Sequence, residues 1–266
     1  WDMKYLFKDW DKIKKRLSNK SVALFLDYDG TISPLADKPE RASTPDETRR
    51  LLSDLLKIPG NRLAVISGRA LRDIKKRVGI DRIIYVGNHG LEIEGPKIKF
   101  ASPVFIVYRR LLRSIKNDLG NRLVNINGIL IEDKGISLSI HYRLVEESQL
   151  AHVKTVLHEA TIVHVVRNKI RVRLGKKVFE IRPALEWDKG KAVLWLLARW
   201  RFGLSGREIV PIYLGDDVSD EDAFRVLEKQ GITVFIGKPK RSRAEYYLKD
   251  STEVRDFLRR FEEFRG

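Results

Sequence analysis

The chain has 266 residues and 43% of them are hydrophobic, which is enough to build a folded core. It contains no cysteine, so disulfide bonds, thiolate metal sites and catalysis by a thiol are excluded. No apolar run reaches the roughly 18 residues of a membrane-spanning helix, and the N-terminus lacks the apolar stretch of a signal peptide. We therefore expect a cytoplasmic protein.

The formal net charge is +16, which can indicate nucleic acid, an anionic membrane surface or an anionic substrate as a partner. Basic clusters occur at 12–16, 72–77 and 238–243, and none is interleaved with aromatic residues that could stack on bases. We predict solvated basic faces with a general attraction for anions. The 33% of charged residues and the single Met are typical of thermophile proteins.

The first elements in chain order alternate between helical patterns and short apolar runs. Helical spacing of apolar residues predicts an amphipathic helix over 1–20. The next predicted elements are a strand at 22–27, a helix at 45–58, a strand at 62–67, a helix at 70–78 and a strand at 83–86. Thr44 and Pro45 stand where they would cap and open the first of these helices. This βαβαβ order indicates a parallel sheet with helices on both faces.

The pattern changes between residues 100 and 184. The predicted elements there are a helix at 103–118, hairpin strands at 128–133 and 136–143, a helix at 147–159, and hairpin strands at 162–167 and 170–181. The alternation in ISLSIHYR fits an antiparallel sheet with one solvated face. This segment is predicted to be a separate α+β module of order αββαββ, inserted into the first.

After Pro183 the earlier pattern returns. The predicted elements are a helix at 188–203, a strand at 210–215, a helix at 220–230, a strand at 232–236 and a helix at 252–264. The predicted fold class is therefore α/β, with a Rossmann-like doubly wound parallel-sheet core over 1–99 and 185–266. The inserted α+β module occupies 100–184.

Polar residues follow the predicted core strands, and ligands of doubly wound sheets bind beyond the carboxyl ends of the strands. They are Asp27, Asp29, Gly30 and Thr31 after the first strand, Ser67, Gly68 and Arg69 after the second, Asn88 and His89 after the third, and Asp216, Asp217 and Asp220 after the fourth, with Lys189 opening a helix. Each group alone also occurs in ordinary turns. Five carboxylates this close would repel one another without a cation, and oxygen ligands favour a hard one such as Mg²⁺.

These motifs resemble those of a known superfamily. The order DYDGT (27–31), then Ser-Gly-Arg after an apolar residue, then a lysine, then GDD with a further Asp, is similar to the haloacid dehalogenase (HAD) superfamily of aspartyl phosphotransferases. Narrower segments resemble trehalose-6-phosphate phosphatases: GNHGLE (87–92), SLSIHYR (137–143), FEIRP (179–183), WDKGKA (187–192) and GDDVSDEDAF (215–224). The resemblance implies a HAD core with a C2-type cap formed by the insertion.

For the reaction, the resemblance implies a phosphoric monoester hydrolase that converts trehalose 6-phosphate into trehalose and phosphate through an aspartyl-phosphate. It implies Asp27 as the nucleophile and Asp29 as the acid that protonates the leaving sugar and then activates water. Ser67 and Lys189 would donate to the transferring phosphoryl oxygens.

For the metal, the resemblance implies that Mg²⁺ is bound by the carboxylate of Asp27, the backbone carbonyl of Asp29 and the carboxylate of Asp216. Asp217 would ligate the ion directly or through water, and Asp220 would support the site. The metal would keep Asp27 ionised while the side chain of Asp29 stays off the ion.

Substrate selection is expected from a second set of residues. The resemblance places Gly30, Thr31, Gly68, Arg69, Asn88 and His89 at the core side of the phosphate and sugar, and Arg143, Glu180 and Arg182 on the cap. Strand alternation puts His141 with Arg143 on one face, and Glu180 with Arg182 on one face. The resemblance also raises an association with, or fusion to, the synthase that makes trehalose 6-phosphate.

Three alternatives stay open at this stage. Phosphatases acting on sucrose 6-phosphate, mannosyl-3-phosphoglycerate or generic hexose phosphates share the core motifs. A receiver-type phosphoacceptor module also clusters aspartates and a lysine, but would need neither Asp29 nor a cap. A nucleic-acid-binding protein that retains the fold would show strongly salt-dependent binding.

Overall fold

The computed structural model describes residues 3–35, 41–175, 177–184, 188–202 and 208–266, apart from the side chains of residues 103 and 104. The chain forms two units, one from Trp1–Phe100 with Trp187–Gly266 and one from Ala101–Glu186. We call them the core unit and the cap unit. Within the described ranges, no helix is both long and apolar enough to cross a membrane.

The elements of both units are numbered in chain order. The strands are β1 (Lys4–Tyr5), β2 (Ser21–Asp27), β3 (Asn61–Ile66), β4 (Ile84–Gly87), β5 (Glu92–Gly95), β6 (Ile98–Ala101), β7 (Leu130–Asp133), β8 (Leu138–His141), β9 (Ile170–Gly175), β10 (Val178–Pro183), β11 (Ile209–Gly215), β12 (Ile232–Ile236) and β13 (Tyr246–Leu248). The helices are α1 (Trp10–Leu17), α2 (Asp46–Leu55), α3 (Leu71–Val78), α4 (Pro103–Arg122), α5 (Glu147–Val166), α6 (Lys189–Phe202), α7 (Glu221–Leu227) and α8 (Ser251–Arg265). Short 3₁₀ turns lie at Leu6–Asp9, Asn88–Gly90 and Val218–Asp220.

The large sheet of the described residues has the strand order β1-β13-β12-β11-β2-β3-β4-β5-β6. The pairs from β1 to β4 along this order are parallel, and β5 pairs antiparallel to β4. The strand β2 therefore lies between β11 and β3, with β4 next to β3. Because these strands are parallel, the residues that follow all four of them lie at one edge of the sheet.

Helices cover both faces of this sheet. Along β2 every residue is buried, and alternate residues belong to two different apolar clusters. One cluster holds Leu24 together with apolar residues of α1, α2, α3 and α8. The other holds Phe25 together with apolar residues of α6 and α7. The predicted doubly wound α/β fold is confirmed.

Two local predictions for the core unit are wrong. The helix predicted over 1–20 begins only at Trp10, because Lys4–Tyr5 pairs with Tyr246–Tyr247 as an edge strand. Thr44 does not cap α2, since its hydroxyl donates to the carbonyl of Arg77 at 3.1 Å. Both outcomes depend on distant residues that local periodicity does not contain. The strands β5, β6 and β13 were not predicted, and the end of the helix predicted to reach 203 lies outside the described residues.

The cap unit has the order αββαββ, with a four-stranded sheet of order β7-β8-β10-β9. One apolar cluster joins the inner faces of α4, α5 and this sheet. The strand predicted at 162–167 is wrong, because α5 continues to Val166. The β-branched residues there favour a strand locally, but the helical hydrogen bonds continue. The second hairpin consists of β9 and β10, which together replace the single strand predicted over 170–181.

Candidate active site

The polar residues predicted to act together lie at the carboxyl edge of the large sheet. Asp27 is the last residue of β2, Ser67 follows β3, and Asn88 follows β4. Asp216 follows β11, and Lys189 is the first residue of α6. The hydrogen bonding between β3 and β4 continues to this edge, since Ser67 donates its N–H to the carbonyl of Val86 at 2.9 Å.

A buried ion pair lies at the centre of the edge. The Nζ of Lys189 donates to Oδ1 of Asp27 at 2.7 Å, and the two side chains are 2% and 6% exposed. Burial raises the pKa of Asp27 well above its usual value; Lys189 opposes the rise, whereas Asp220 and Asp216 add to it. Burial lowers the pKa of Lys189, but Asp27 and Asp220 outweigh this and raise it overall. Lys189 is therefore charged, while burial and the neighbouring carboxylates oppose ionisation of Asp27.

Asp220 is fully buried and accepts hydrogen bonds at both carboxylate oxygens. Its Oδ1 accepts from Nζ of Lys189 at 2.7 Å and from the hydroxyl of Tyr213 at 2.6 Å. Its Oδ2 accepts from the backbone N–H groups of Asp216 and Asp217, both at 3.0 Å. Four donors occupy the lone pairs that a carboxylate offers. Asp220 thus fixes the Asp216–Asp217 backbone and the lysine, and its oxygens are already occupied.

Asp216 is half-buried beside Gly30. Burial, with the charges of Asp220 and Asp217, raises the pKa of Asp216 to about 7. Gly30 has a φ of +79°, and a Cβ built on it would lie 2.0 Å from Oδ2 of Asp216. Glycine is therefore required here both for the left-handed backbone and for the space that the carboxylate fills.

The donor set fits a divalent cation. Carboxylate oxygens of Asp27, Asp216 and Asp220 lie within 4.8 Å of one another. Burial and the neighbouring carboxylates raise the pKa values of Asp27 and Asp216, and a bound cation would lower both. Since the oxygens of Asp220 are engaged by four donors, Asp27 and Asp216 are the carboxylates of this group that could hold a metal.

Asp217 caps the turn that leads into α7. Its Oδ1 accepts from the N–H and the hydroxyl of Ser219, both at 2.7 Å, and from the N–H of Asp220 at 3.2 Å. Burial raises the pKa of Asp217, but Lys189 and the Ser219 hydrogen bonds outweigh this and lower it overall. The hydroxyl of Ser219 thus has a structural use, since it holds the carboxylate in the turn.

Asp29 is held by an arginine. The Nε of Arg69 donates to Oδ2 of Asp29 at 2.7 Å, and Nη2 donates to Oδ1 at 2.6 Å. Nη1 of Arg69 donates to Asp73 at 3.0 Å, and the guanidinium lies 5.5 Å from the centre of the Tyr28 ring. The sequence assigned Arg69 to the substrate, whereas here its fork lies on the carboxylate two residues after Asp27.

Several predicted phosphate and sugar contacts surround this centre. Thr31 and Asn88 are buried, and the Thr31 hydroxyl and Asn88 Oδ1 have no hydrogen-bond partner among the described residues. Asn88 and His89 have φ values of +52° and +55°, which are uncommon for residues with a side chain. A Cβ on Gly68 would lie 2.6 Å from the His89 ring, so glycine makes room for the histidine. Buried unpartnered polar atoms are costly, and a ligand that bonds to these two atoms would remove that cost.

The three residues predicted on the cap unit lie in different settings: Glu180 and Arg182 are in a strand, and Arg143 is in a turn. Glu180 and Arg182 lie on β10 and form an ion pair of 2.7 Å on the sheet face opposite Phe179 and Ile181. Arg143 is exposed in a turn beyond β8, which ends at His141. The alternation argument for Arg143 therefore fails, because the residue is not part of the strand.

Sequence reasoning missed Tyr213 and Asp73, both of which touch predicted site residues. Tyr213 is fully buried, and its hydroxyl donates to Asp220. Its signal was a tyrosine in an otherwise aliphatic strand, two residues before Gly215. Asp73 was hidden in a basic cluster, where an acidic residue on an exposed helix face has no distinguishing signal.

The comparisons with known proteins point to one family. The sequence profile of the family described as Trehalose-phosphatase matches residues 25–252. The chain is 34% identical to "Probable trehalose-phosphate phosphatase 4" of rice and 34% identical to "Trehalose-phosphate phosphatase B" of Arabidopsis thaliana, each alignment covering 96% of this chain and 70% of the relative.

Solved structures share the fold. The trehalose-6-phosphate phosphatase of Aspergillus fumigatus superposes with a TM-score of 0.70 at 24% identity, covering 98% of this chain and 99% of that one. The C-terminal domain of the Candida albicans trehalose-6-phosphate phosphatase superposes with a TM-score of 0.70 at 22% identity, covering 99% of this chain and 100% of that one. The profile match over residues 25–252 and the two relatives at 34% identity identify the family. The chain belongs to the trehalose-phosphatase family.

Proposed function

We propose that this protein hydrolyses trehalose 6-phosphate to trehalose and inorganic phosphate through an aspartyl-phosphate on Asp27, with Mg²⁺ as cofactor. The observation that carries the proposal is the buried Asp27–Lys189 pair, next to Asp216 and two residues before Asp29. Family membership supports the substrate, since the relatives are named as trehalose-phosphate phosphatases.

In the first step, a carboxylate oxygen of Asp27 attacks phosphorus in line with the sugar oxygen. The new bond joins this oxygen to phosphorus, and the bond between phosphorus and the sugar oxygen breaks. Asp29 gives its proton to the departing oxygen, so trehalose leaves as a neutral alcohol. Covalent catalysis divides one difficult displacement into two easier ones.

In the second step, water attacks the phosphorus of the aspartyl-phosphate. Asp29, now ionised, takes a proton from the water, and the acyl oxygen of Asp27 leaves as carboxylate. Phosphate is released, and Asp27 and Asp29 return to their initial states. Each oxygen of Asp29 keeps a second lone pair beyond the Arg69 hydrogen bond, which leaves room for the transferred proton.

We assign the metal to Asp27, the backbone carbonyl of Asp29 and Asp216, with Asp217 as a further ligand, directly or through water. Bound Mg²⁺ would supply positive charge to the phosphate oxygens and to the ionised nucleophile. This role fits the pKa values of Asp27 and Asp216, both raised by burial and by neighbouring carboxylates.

The phosphoryl oxygens would be bound by donors at the same edge. Nζ of Lys189 uses two of its three hydrogens on Asp27 and Asp220 within the described residues, which leaves one for the phosphate. Ser67 is buried beside this position, and the unpartnered hydroxyl of Thr31 is a further donor. Fixed donors of this kind offset the charge that develops in the transition state.

Selection of the sugar is assigned to the cap residues Arg143, Glu180 and Arg182, together with Asn88 and His89. The Glu180–Arg182 pair offers both an acceptor and donors to hydroxyl groups, and it lies on a sheet face free of the cap's apolar cluster. An association with a trehalose-6-phosphate synthase and a cytoplasmic location both stay predictions.

The test is phosphate release from a substrate panel, compared by kcat/KM. Trehalose 6-phosphate should be preferred over sucrose 6-phosphate, mannosyl-3-phosphoglycerate and glucose 6-phosphate. EDTA should abolish the activity and Mg²⁺ should restore it, while Asp27→Asn should be inactive under all conditions. Equal rates on the whole panel would reject the assigned substrate, and an active Asp27→Asn variant would reject the mechanism.

A further inference from the structure

The basic cluster at 72–77 contains one acidic residue, Asp73, in the first turn of α3. Its carboxylate accepts from Nη1 of Arg69 at 3.0 Å and from Nε of Arg77 at 2.8 Å. Burial raises the pKa of Asp73, but the hydrogen bonds from Arg77 and Arg69 outweigh this and lower it overall. Asp73 is thus an ionised link between two arginines.

Arg77 anchors this link to the rest of the core unit. Its side chain is 17% exposed, and its Nη1 donates to the backbone carbonyl of Ala42 at 2.5 Å. The carboxylate of Asp73 is therefore held by the guanidinium of Arg77, which is itself held by the backbone carbonyl of Ala42. A carboxylate fixed in this way can hold a second arginine in one orientation.

The second arginine is Arg69, which carries the orientation to Asp29. Its side chain is 13% exposed, and both prongs of its fork donate to the two oxygens of Asp29. The side chain of Asp29 is 42% exposed, and among the described residues Arg69 donates to both of its oxygens. Because the donors of a planar guanidinium have a rigid geometry, the orientation that Asp73 gives to Arg69 also sets the orientation of Asp29.

We propose that Asp73 is a positioning residue for the acid and base Asp29, and that it acts through Arg69. The inference rests on the proposed role of Asp29 in protonating the leaving group. Loss of Asp73 removes its hydrogen bond from Nη1 of Arg69, the fork tilts, and the carboxylate of Asp29 spends less time where the leaving oxygen lies. Small misplacements of a catalytic group are known to reduce rates strongly.

The leaving group distinguishes positioning from general damage. A sugar alkoxide needs protonation to depart, whereas p-nitrophenolate leaves without it. The value of kcat/KM reports the step in which Asp27 is phosphorylated, so a displaced Asp29 lowers it for trehalose 6-phosphate and not for p-nitrophenyl phosphate. A defect in folding or in the nucleophile lowers both values by the same factor.

The experiment compares Asp73→Asn with three other variants of the full chain in saturating Mg²⁺. Asp29→Asn tests the assay itself, Asp73→Glu tests rescue, and Asp81→Asn removes the same charge from an exposed position near the end of α3. For Asp73→Asn we expect kcat/KM to fall about tenfold for trehalose 6-phosphate and less than about twofold for p-nitrophenyl phosphate. Asp73→Glu should recover most of the loss, and Asp81→Asn should match the unaltered protein.

The outcomes separate this inference from the proposed function. If Asp29→Asn lowers kcat/KM by the same factor for both substrates, the acid role of Asp29 is wrong. If Asp29→Asn discriminates between the substrates while Asp73→Asn behaves like Asp81→Asn, the positioning role of Asp73 is overturned. An equal loss on both substrates for Asp73→Asn also overturns it, and urea midpoints measured for each variant show whether such a loss follows from unfolding.

Discussion

Gly30→Ala tests most directly the arrangement of the carboxylates proposed to bind the metal. The added Cβ would lie 2.0 Å from Oδ2 and 2.6 Å from Cγ of Asp216. Contacts of a Cβ below 3.0 Å are essentially never found in proteins, so the whole carboxylate of Asp216 must move by about 1 Å. The backbone must also accept a φ of +79° with a side chain present.

The two effects differ in size and in kind. A left-handed conformation costs about 1–2 kcal/mol for a residue with a Cβ, and this lowers the free energy of unfolding only. Metal–ligand distances tolerate only about 0.2 Å of error, so a shift of about 1 Å removes Asp216 from the metal. We expect Mg²⁺ affinity to fall at least about tenfold, which corresponds to about 1.4 kcal/mol.

The assay is a Mg²⁺ titration by calorimetry and by phosphate release, with Gly79→Ala as the matched control. Gly79 also has a positive φ, +67°, but its nearest neighbour to an added Cβ is Nε of Arg49 at 4.0 Å. Gly30→Ala should lose at least as much stability in urea as Gly79→Ala, and only Gly30→Ala should lose metal affinity. Equal Mg²⁺ affinity in the two variants would refute the placement of Asp216 and its role as a ligand.

Three further predictions follow from the same site. Lys189→Met leaves Asp27 and Asp220 buried without their cation, so the free energy of unfolding should fall by about 3–5 kcal/mol in urea; a loss below about 1 kcal/mol would contradict the buried pair. In EDTA, stability should fall as pH rises from about 4 to about 7, because the pKa of Asp216 is about 7 in the folded chain and about 3.9 when unfolded. Because the pKa of Asp216 is raised in the folded chain, stability is lost as this carboxyl ionises. Asp216→Asn should therefore weaken the dependence of stability on pH; an unchanged dependence would mean that other groups cause it. Glu180→Gln should lower kcat/KM for trehalose 6-phosphate and not for p-nitrophenyl phosphate, whereas an equal effect on both would argue against sugar recognition by the cap.

Much of the core could be predicted because its strands are short, fully apolar and followed by polar residues. VALFLD and VPIYLG are continuous apolar runs, as expected for strands covered on both faces, and their ends fixed the positions of Asp27 and Asp216. The edge strand Lys4–Tyr5 could not be predicted, because two residues become a strand only through pairing with Tyr246–Tyr247. The end of α5 was misjudged, because β-branched residues indicate a strand unless tertiary packing continues the helix.

At the site, the sequence named the residues but not which of them meet. It assigned Arg69 to the substrate, whereas the fork of this arginine lies on Asp29. It placed Asp220 in support without showing that four donors occupy it, one of them the unexpected Tyr213. Pairs such as Lys189 with Asp27 are 162 residues apart, and no local pattern encodes their distance.

The sequence by itself indicated the reaction class, because four motifs in this order resemble those of the aspartyl phosphotransferases. Only the tertiary structure decided which charged side chains pair with one another. Lys189 serves Asp27 and Asp220 together, Gly30 leaves the space that Asp216 occupies, and Asp73 reaches Asp29 through an arginine. Electrostatic interactions depend on distance and burial, and both are fixed only when separate strands and helices come together.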